Sequence, residues 1–299
     1  MKITITGGTG FIGRRLVRRL LDEGHSVHLL VRNAKTGFGA DVRCSIWNAY
    51  TIGPVPESLE GADAVIHLAG EPVSQRWTPS AKRRIRDSRV VGTRRLIETI
   101  SGLSRRPSVL LAASAIGLYG DRGEEEITES STPGKGFLSE VCQEWEAAAD
   151  EAERLGMRVV KLRTGMALGR EGGALAQMLT PFRWGVGGRV AAGSQWMSWI
   201  HADDLVVLIV FLLTRAGIQG PVNGTSPNPV TNSGFTKDLS TALRRPALLT
   251  VPASALRLIY GEMAEIILGS QRVLPKAALA AGFEFKYPGL KLALQNLLG

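Results

Sequence analysis

Much is missing from this 299-residue chain, and each absence narrows what it can be. Two cysteines, Cys44 and Cys142, are too few for a disulfide framework or a zinc site, which predicts a reducing, cytoplasmic setting. No apolar run approaches the ~20 residues a membrane helix needs. The longest, Leu205 to Leu213, follows HADD and is predicted to form a buried helix capped by Asp203 or Asp204. Met1 leads straight into the strand-like KITITG, so no signal peptide is expected. His201 and the two aspartates lack a third ligand at a convincing spacing, so no metal is expected. Repeats, low-complexity tracts and long linkers are also absent. The net charge of +9 invites a nucleic-acid reading, but its main local source, KRRIRDSRVVGTRR (82–95), has no recognition motif and few aromatics. A basic helix beside an anionic small molecule is the expectation, with neither nucleic acid nor membrane as partner.

What is present begins at the first residues. KITITGGTGFIGRRLVRRLLDEGHSVHLLVR sets a β-branched strand, a glycine turn, an amphipathic helix and a second strand in order, a βαβ unit of ~30 residues. Gly7, Gly10 and Gly13 stand at GxxGxxG spacing, with Thr9, Phe11 and Ile12 between them. Glycines there permit the sharp turn, the close approach of a pyrophosphate and the packing of helix on sheet, while free N–H groups at the helix start face the phosphates. A dinucleotide is therefore predicted on this stretch. A carboxylate at the end of the second strand would hold the 2′-hydroxyl of NAD. The chain instead has Val31 and Arg32, a pattern that suits the 2′-phosphate of NADPH and makes NADH the lesser expectation.

Further strands are predicted in GADAVIHLAGE (61–71), RPSVLLAASAIGLYG (106–120) and MRVVKLRTGMALG (157–169), alternating with helices as in a parallel, doubly wound Rossmann-type α/β sheet. The order TGGTGFIG, HLAGE, SAIGLYG, LRTG and WIHADDL resembles the extended short-chain dehydrogenase/reductase family, the NAD(P)-dependent epimerases and dehydratases. With LAGEPV, CQEWEAAA, PFRWGVGG, SWIHADDL and the tail QRVLPKAALAAGFEFKYP, it resembles more narrowly an atypical epimerase-like subgroup with a short C-terminal domain of unknown function. The resemblance spans the whole chain. It implies NADP(H) as cofactor, with Arg32 on the 2′-phosphate, Leu68, Ala69 and Gly70 along the adenosine and pyrophosphate, and Arg89 as a further contact. It implies also that Met166 and Ala167 approach the nicotinamide end through their backbone, and that a homodimer through helices flanking the sheet would be usual. The expected division is a nucleotide-binding domain over 1–165 and a smaller substrate-side lobe over 166–299, its tail domain beginning near 250.

Members of that family carry a tyrosine and a lysine four residues apart on one helix face, the phenol exchanging a proton while hydride moves to or from nicotinamide. Here the corresponding helix, in GFLSEVCQEWEAAADEAERLG (136–156), has no tyrosine, lysine or histidine. With Glu146 and Arg163 as fixed points of the family pattern, seventeen residues apart, the tyrosine slot falls on Leu138 and the lysine slot on Cys142. Tyr287 and Lys291 have the right spacing, but Pro288 and Gly289 keep the tyrosine outside the helix. Cys142, without a histidine beside it, reads as a packing residue. On the preceding strand the usual hydroxyl slot holds Ala115, leaving Ser114 as a nearby cofactor contact. Ser114 and Tyr119 are the nearest candidates for proton transfer by sequence, although Tyr119 also reads as a turn residue. The polar loop 121–136 lies where a substrate lid would be, and Trp184, Trp196 and Trp199 either line an apolar pocket or pack the lobe. Two functions follow: an NADP(H)-dependent oxidoreductase or epimerase-like enzyme on a small carbonyl or sugar-like substrate with a non-standard proton donor, or a binding protein that senses or holds NADPH without turnover.

Overall fold

A computed structural model describes residues 1–34, 36–39, 41–51 and 53–299. The first half alternates strand and helix: β1 (Lys2–Thr6), α1 (Phe11–Asp22), β2 (Ser26–Val31), β3 (Val42–Ile46), β4 (Ala64–His67), α2 (Pro79–Ser101) and β5 (Val109–Ala115). The short β6 (Glu126–Ile127) precedes α3 (Phe137–Asp150), β7 (Arg158–Thr164) and β8 (Met166–Leu168). The lobe continues with α4 (Gly173–Arg183), β9 (Gly188–Val190), β10 (Trp196–Met197), β11 (Trp199–His201), α5 (Ala202–Thr214), β12 (Gly220–Gly224), β13 (Val230–Thr231) and α6 (Asn232–Leu243). The tail holds β14 (Leu249–Val251), α7 (Ala253–Tyr260), α8 (Ala264–Leu268), β15 (Arg272–Val273), α9 (Lys276–Ala280) and α10 (Leu290–Leu298). Among the described residues no helix is long and apolar enough to cross a membrane.

Seven strands form one sheet in the order β12-β7-β5-β4-β1-β2-β3, and every pair is parallel. Their sequences are near-continuous apolar runs because helices cover both faces. On one face Leu16, Val17 and Leu20 of α1 pack with Leu205, Leu208, Ile209 and Leu212 of α5 against Ile3, Ile5, Leu29 and Leu111. On the other, Leu96, Ile97 and Ile100 of α2 and Ala149 of α3 meet Val65, Leu110 and Val159. Each buried aliphatic side chain contributes ~1.5–3 kcal/mol relative to exposure, so the apolar stretch of α5 is as strong an anchor as any strand.

The sheet itself continues past position 165. The chain leaves the sheet after β7 and returns to it: β12 pairs with β7 from Gly220↔Val160 to Gly224↔Thr164, and α5 belongs to the main core. A lone edge at β7 would leave a buried strand's N–H and C=O groups unpaired, and β12 satisfies them. The lobe has its own core of Leu175, Leu179, Phe182, Trp199, Phe235, Leu239, Tyr287, Leu290 and Leu294.

The connection runs β1 to β2 to β3 on one side of β1, then crosses to β4 on the other. That reversal opens a crevice at the carboxyl ends of β1 and β4, where open α/β sheets bind ligands.

Candidate cofactor cleft

At the crevice, Gly7 closes β1 with φ +73°, and a Cβ on it would lie 2.8 Å from the Ala69 nitrogen and the Leu68 carbonyl carbon. A side chain there would force apart the ends of β1 and β4. A Cβ on Gly13 would collide with the Gly7 carbonyl, so α1 is seated directly on the turn. Gly10 is the N-cap of α1 and offers no side-chain cap, and the first turn has no acidic residue. Its leading N–H groups are therefore unspent and favour an anion. Thr9 accepts from Arg14 Nε through its carbonyl at 3.0 Å. Phe11 lies against the glycines of the β8–α4 turn, Cδ2 2.7 Å from where a Gly172 Cβ would sit, and Ile12 packs on the main core. Val31 is buried at the end of β2, and Arg32 follows it, exposed.

Behind this cradle runs a chain of buried hydrogen bonds with one consistent direction. Ala69 N–H donates to Thr6 Oγ1 at 3.1 Å, and Thr6 Oγ1 lies 2.7 Å from His67 Nδ1. His67 Nε2 lies 3.1 Å from Thr93 Oγ1, which itself donates to the Arg89 carbonyl at 2.5 Å and accepts from Trp145 Nε1 at 3.1 Å. The Thr93 proton is committed to Arg89, so His67 must donate from Nε2 and accept at Nδ1. The imidazole is fully buried, and burial, assisted by the Arg89 charge, pulls its pKa from 6.5 to about 4. It is a neutral strut between β1, β4 and α2.

Arg89 comes from α2. Its Nη1 donates to the carbonyls of Glu71 and Ile85, each at 3.0 Å. The guanidinium lies 5.1 Å from the Trp145 ring centroid, and a Cβ on Gly70 would be 3.0 Å from its Cζ. The rest of the basic helix is largely solvated as expected, with Arg83, Arg84, Arg86 and Arg94 exposed.

The third wall is α3. Leu138 packs against Gly117, where a Cβ would be 3.2 Å from its own, and Cys142 lies against Ala115 and Ser114. Burial raises the Cys142 thiol to about 11 despite the Arg89 charge nearby. Both side chains thus face the carboxyl end of β5, and neither presents an acidic hydroxyl or an amine. Ser114 Oγ donates to Glu146 Oε1 at 2.7 Å. Glu146 in turn receives Arg163 Nε and Nη2, both at 2.8 Å. Arg163 Nη1 donates to the Tyr119 hydroxyl at 2.9 Å, and that hydroxyl donates to Asn223 Oδ1 at 2.7 Å. Tyr119 is completely buried, and burial raises its pKa against the opposing influence of Arg163. Both Ser114 and Tyr119 therefore have their hydroxyl protons committed inside the protein.

Met166 and Ala167 follow β7 as β8, half-buried and paired with Trp199 and Ile200 of β11. The glycines, Leu68 to Gly70, Arg89, Ser114 and Met166 to Ala167 all lie at the carboxyl ends of β1, β4, β5 and β7. The loop 121–136 is fastened to the tail rather than free over the cleft: β6 pairs with β15, and Glu129 Oε1 accepts the N–H groups of Asn223 and Ala277 at 3.0 and 3.1 Å. Met263 and Ile267 from the tail pack with Trp77, Phe137 and Leu138, roofing the start of α3.

In the lobe the expected aspartate cap is corrected. His201 caps α5, its Nδ1 accepting from Asp203 N–H at 3.1 Å while Nε2 meets Asn296 Oδ1 at 3.1 Å. Asp203 pairs with Arg15, and Asp204 accepts the N–H groups of Lys286 and Tyr287 at 3.0 and 2.9 Å, pinning the tail. Tyr287 stacks on His201 outside α10. Of the three tryptophans, Trp199 is core, Trp196 donates to Glu124, and Trp184 is exposed. Thr6, His67, Thr93, Trp145, Glu129 and Asn223 were not singled out from the sequence. Apart from the Arg89 carbonyl, the partners described above lie 26 to 148 residues away, and no local spacing signals them.

A profile of the NAD dependent epimerase/dehydratase family matches residues 3–223, and one of a domain of unknown function (DUF1731) matches residues 251–297. The chain is 41% identical over 303 residues to the epimerase family protein SDR39U1 homolog, chloroplastic, of Arabidopsis thaliana, covering 100% of this chain and 87% of that protein. It is 39% identical over 299 residues to the epimerase family protein YfhF of Bacillus subtilis (strain 168), covering 100% and 98%. The crystal structure of human epimerase family protein SDR39U1 (isoform 2) with NADPH is similar at TM-score 0.88 and 31% identity, covering 100% of this chain and 99% of that one.

Proposed function

The chain belongs to the NAD dependent epimerase/dehydratase family, whose members bind a nicotinamide cofactor, and we propose that this protein takes NADP(H) and acts on a small carbonyl or sugar-like substrate without the usual tyrosine and lysine. The cleft fits the cofactor's shape. Gly7 and Gly13 leave a cradle that a single Cβ would fill, and the uncapped start of α1 offers N–H groups to a pyrophosphate. Arg32, exposed beyond β2 with Val31 in the usual acid's place, favours the 2′-phosphate. The similarity to the human protein, whose structure is with NADPH, supports the same choice. Leu68, Ala69, Arg89, Met166 and Ala167 would line the remainder. When bound, the cofactor supplies or accepts hydride; the protein's part is to hold it, shape the pocket and exclude water.

The observation that carries the mechanistic reading is the pairing of Leu138 and Cys142 at the end of β5 with Ser114 and Tyr119 committed elsewhere. No side chain on that wall is placed to trade a proton, so proton exchange falls to solvent or to the substrate's own groups. The same observation favours the second reading, a protein that senses or holds NADPH without turnover. Purified protein screened with NADPH and NADP⁺ against carbonyl and alcohol libraries, following cofactor absorbance, separates them. Turnover establishes the enzyme. Tight NADPH binding with no turnover across the libraries favours the sensor, and failure to bind NADPH overturns both.

A further inference from the structure

The lobe carries an apolar surface for which the cleft has no use. Leu248 is 89% exposed, Trp184 80% and Leu258 79%, and Val186, Leu249 and Ile259 are each more than half exposed. They belong to the turn after α4, the turn that leads from α6 into β14, and α7. The two turns are joined: β9 and β14 pair in parallel from Gly188↔Leu249 to Val190↔Val251, and a Cβ on Gly185 would lie 4.0 Å from Pro246 Cγ. α7 starts two residues after β14, with Leu256 as its buried side. A single exposed apolar residue needs no explanation, but a group of them on linked segments marks a contact surface. The charges around the group are of one sign. Arg183, Arg189, Arg244, Arg245 and Arg257 are all exposed. No aspartate or glutamate occurs between positions 172 and 202 or between 239 and 261. Among the described residues none of these arginines is in an ion pair.

We propose that this face docks on an anionic lipid surface. Trp184, Leu248 and Leu258 enter the boundary between headgroups and acyl chains, and the arginines hold lipid phosphates around them. The chemistry of the patch selects this partner over others. A second copy would bring the same unpaired guanidiniums face to face, where like charges repel. Nucleic acid calls for aromatic platforms on which bases stack, and Trp184 stands among aliphatic chains. Side chains as exposed as Leu248 and Trp184 stand clear of their neighbours, which suits entry into a soft phase better than packing on a folded protein. A guanidinium offers a fork of donors that matches phosphate oxygens, so arginine serves the rim of such a contact. The apolar runs of the chain are too short to span a bilayer, but contact with its surface needs no span.

The test uses the full chain and vesicles of phosphatidylcholine alone or with about 30% phosphatidylglycerol, which sets a negative surface potential. Wild type should sediment with the anionic vesicles, bind the neutral ones at least about tenfold less, and come off as salt rises from about 0.05 to 0.5 M. Lipids brominated along the acyl chain should quench a component of the fluorescence that Trp184→Phe removes, since Trp47, Trp77, Trp145 and Trp199 are buried. The variant Trp184→Ser/Leu248→Ser/Leu258→Ser should lower partitioning at least about tenfold. Arg183→Gln/Arg244→Gln/Arg245→Gln should lower it on the order of a hundredfold, roughly fivefold for each cation. All six positions are exposed, so melting should match wild type. If the apolar variant does not fold, Leu248→Glu alone takes its place, with a loss of at least about tenfold expected. Wild type that stays in solution beside anionic vesicles overturns the proposal. So does a folded apolar variant that binds them as tightly as wild type, which would put the contact on another basic surface such as α2. A dimer in lipid-free solution that the apolar variant dissolves assigns the face to a second copy and overturns it as well.

Discussion

Glu146 and Arg163, seventeen residues apart in the chain, are joined side by side in the interior: Nε meets Oε1 and Nη2 meets Oε2, each at 2.8 Å. Both side chains are only 9% exposed. Glu146 lies on α3 and Arg163 on β7, so the pair fixes the rotation of the helix against the sheet.

Breaking this pair on one side should be severe. Glu146→Leu leaves a buried guanidinium and the Ser114 and Tyr119 hydroxyls without their arrangement, at ~3–5 kcal/mol. In a chain of this size that lowers Tm by roughly 10 °C. The double variant Glu146→Leu/Arg163→Met should cost less than the sum of the singles, because no lone charge remains. Thermal melts of the four proteins check this; additive losses would mean the two side chains are not coupled.

Arg32→Ala should weaken NADPH by about ten- to a hundredfold, ~1.5–3 kcal/mol, and leave NADH nearly unchanged, because only NADPH carries the 2′-phosphate. Paired titrations with both nucleotides decide it. Equal loss for both would assign Arg32 a different role.

Tyr119→Phe should act on stability before chemistry. The hydroxyl donates to Asn223 and accepts from Arg163, so its removal leaves Asn223 Oδ1 without that donor while Arg163 Nη1 keeps the Glu129 carbonyl, at ~1–3 kcal/mol. NADPH affinity should stay within about twofold of wild type, since the ring itself remains in place. If a substrate is found, turnover per folded molecule should survive. Its abolition in a variant of normal Tm would make Tyr119 the proton donor after all.

His67 predicts a pH dependence. Its folded pKa, about 4, lies below the ordinary 6.5, so between those values the unfolded chain binds a proton that the folded chain refuses. The neutral strut's contribution is fully present above pH 6.5 and is lost as pH falls towards 4. The loss reaches roughly 3 kcal/mol at the bottom of that window and then levels off. Urea melts of wild type and His67→Gln from pH 7.5 to 4 should show the steeper fall in wild type. Parallel slopes would mean that His67 is charged in the folded state or is not the group responsible.

By itself the sequence determined the parts whose signals are local. The glycine spacing, the β-branched runs and the apolar stretch of α5 each specify backbone or burial within about twenty residues, and the sheet, the crevice and the nucleotide cradle follow from them. That Leu138 and Cys142 share one face of α3 was legible for the same reason, since a helix repeats its faces at fixed spacing. Only the tertiary structure decided where protons go. Whether the Ser114 and Tyr119 hydroxyls point to the cleft or into the Glu146–Arg163–Asn223 network depends on partners up to 104 residues distant, as does the tautomer of His67. The same holds for β12, whose place in the sheet is set by the unpaired edge of β7, and for His201, which caps α5 because β11 delivers its ring there. Hydrogen bonds are short-ranged and directional, so their partners are fixed by packing in space, which the order of residues along the chain does not display.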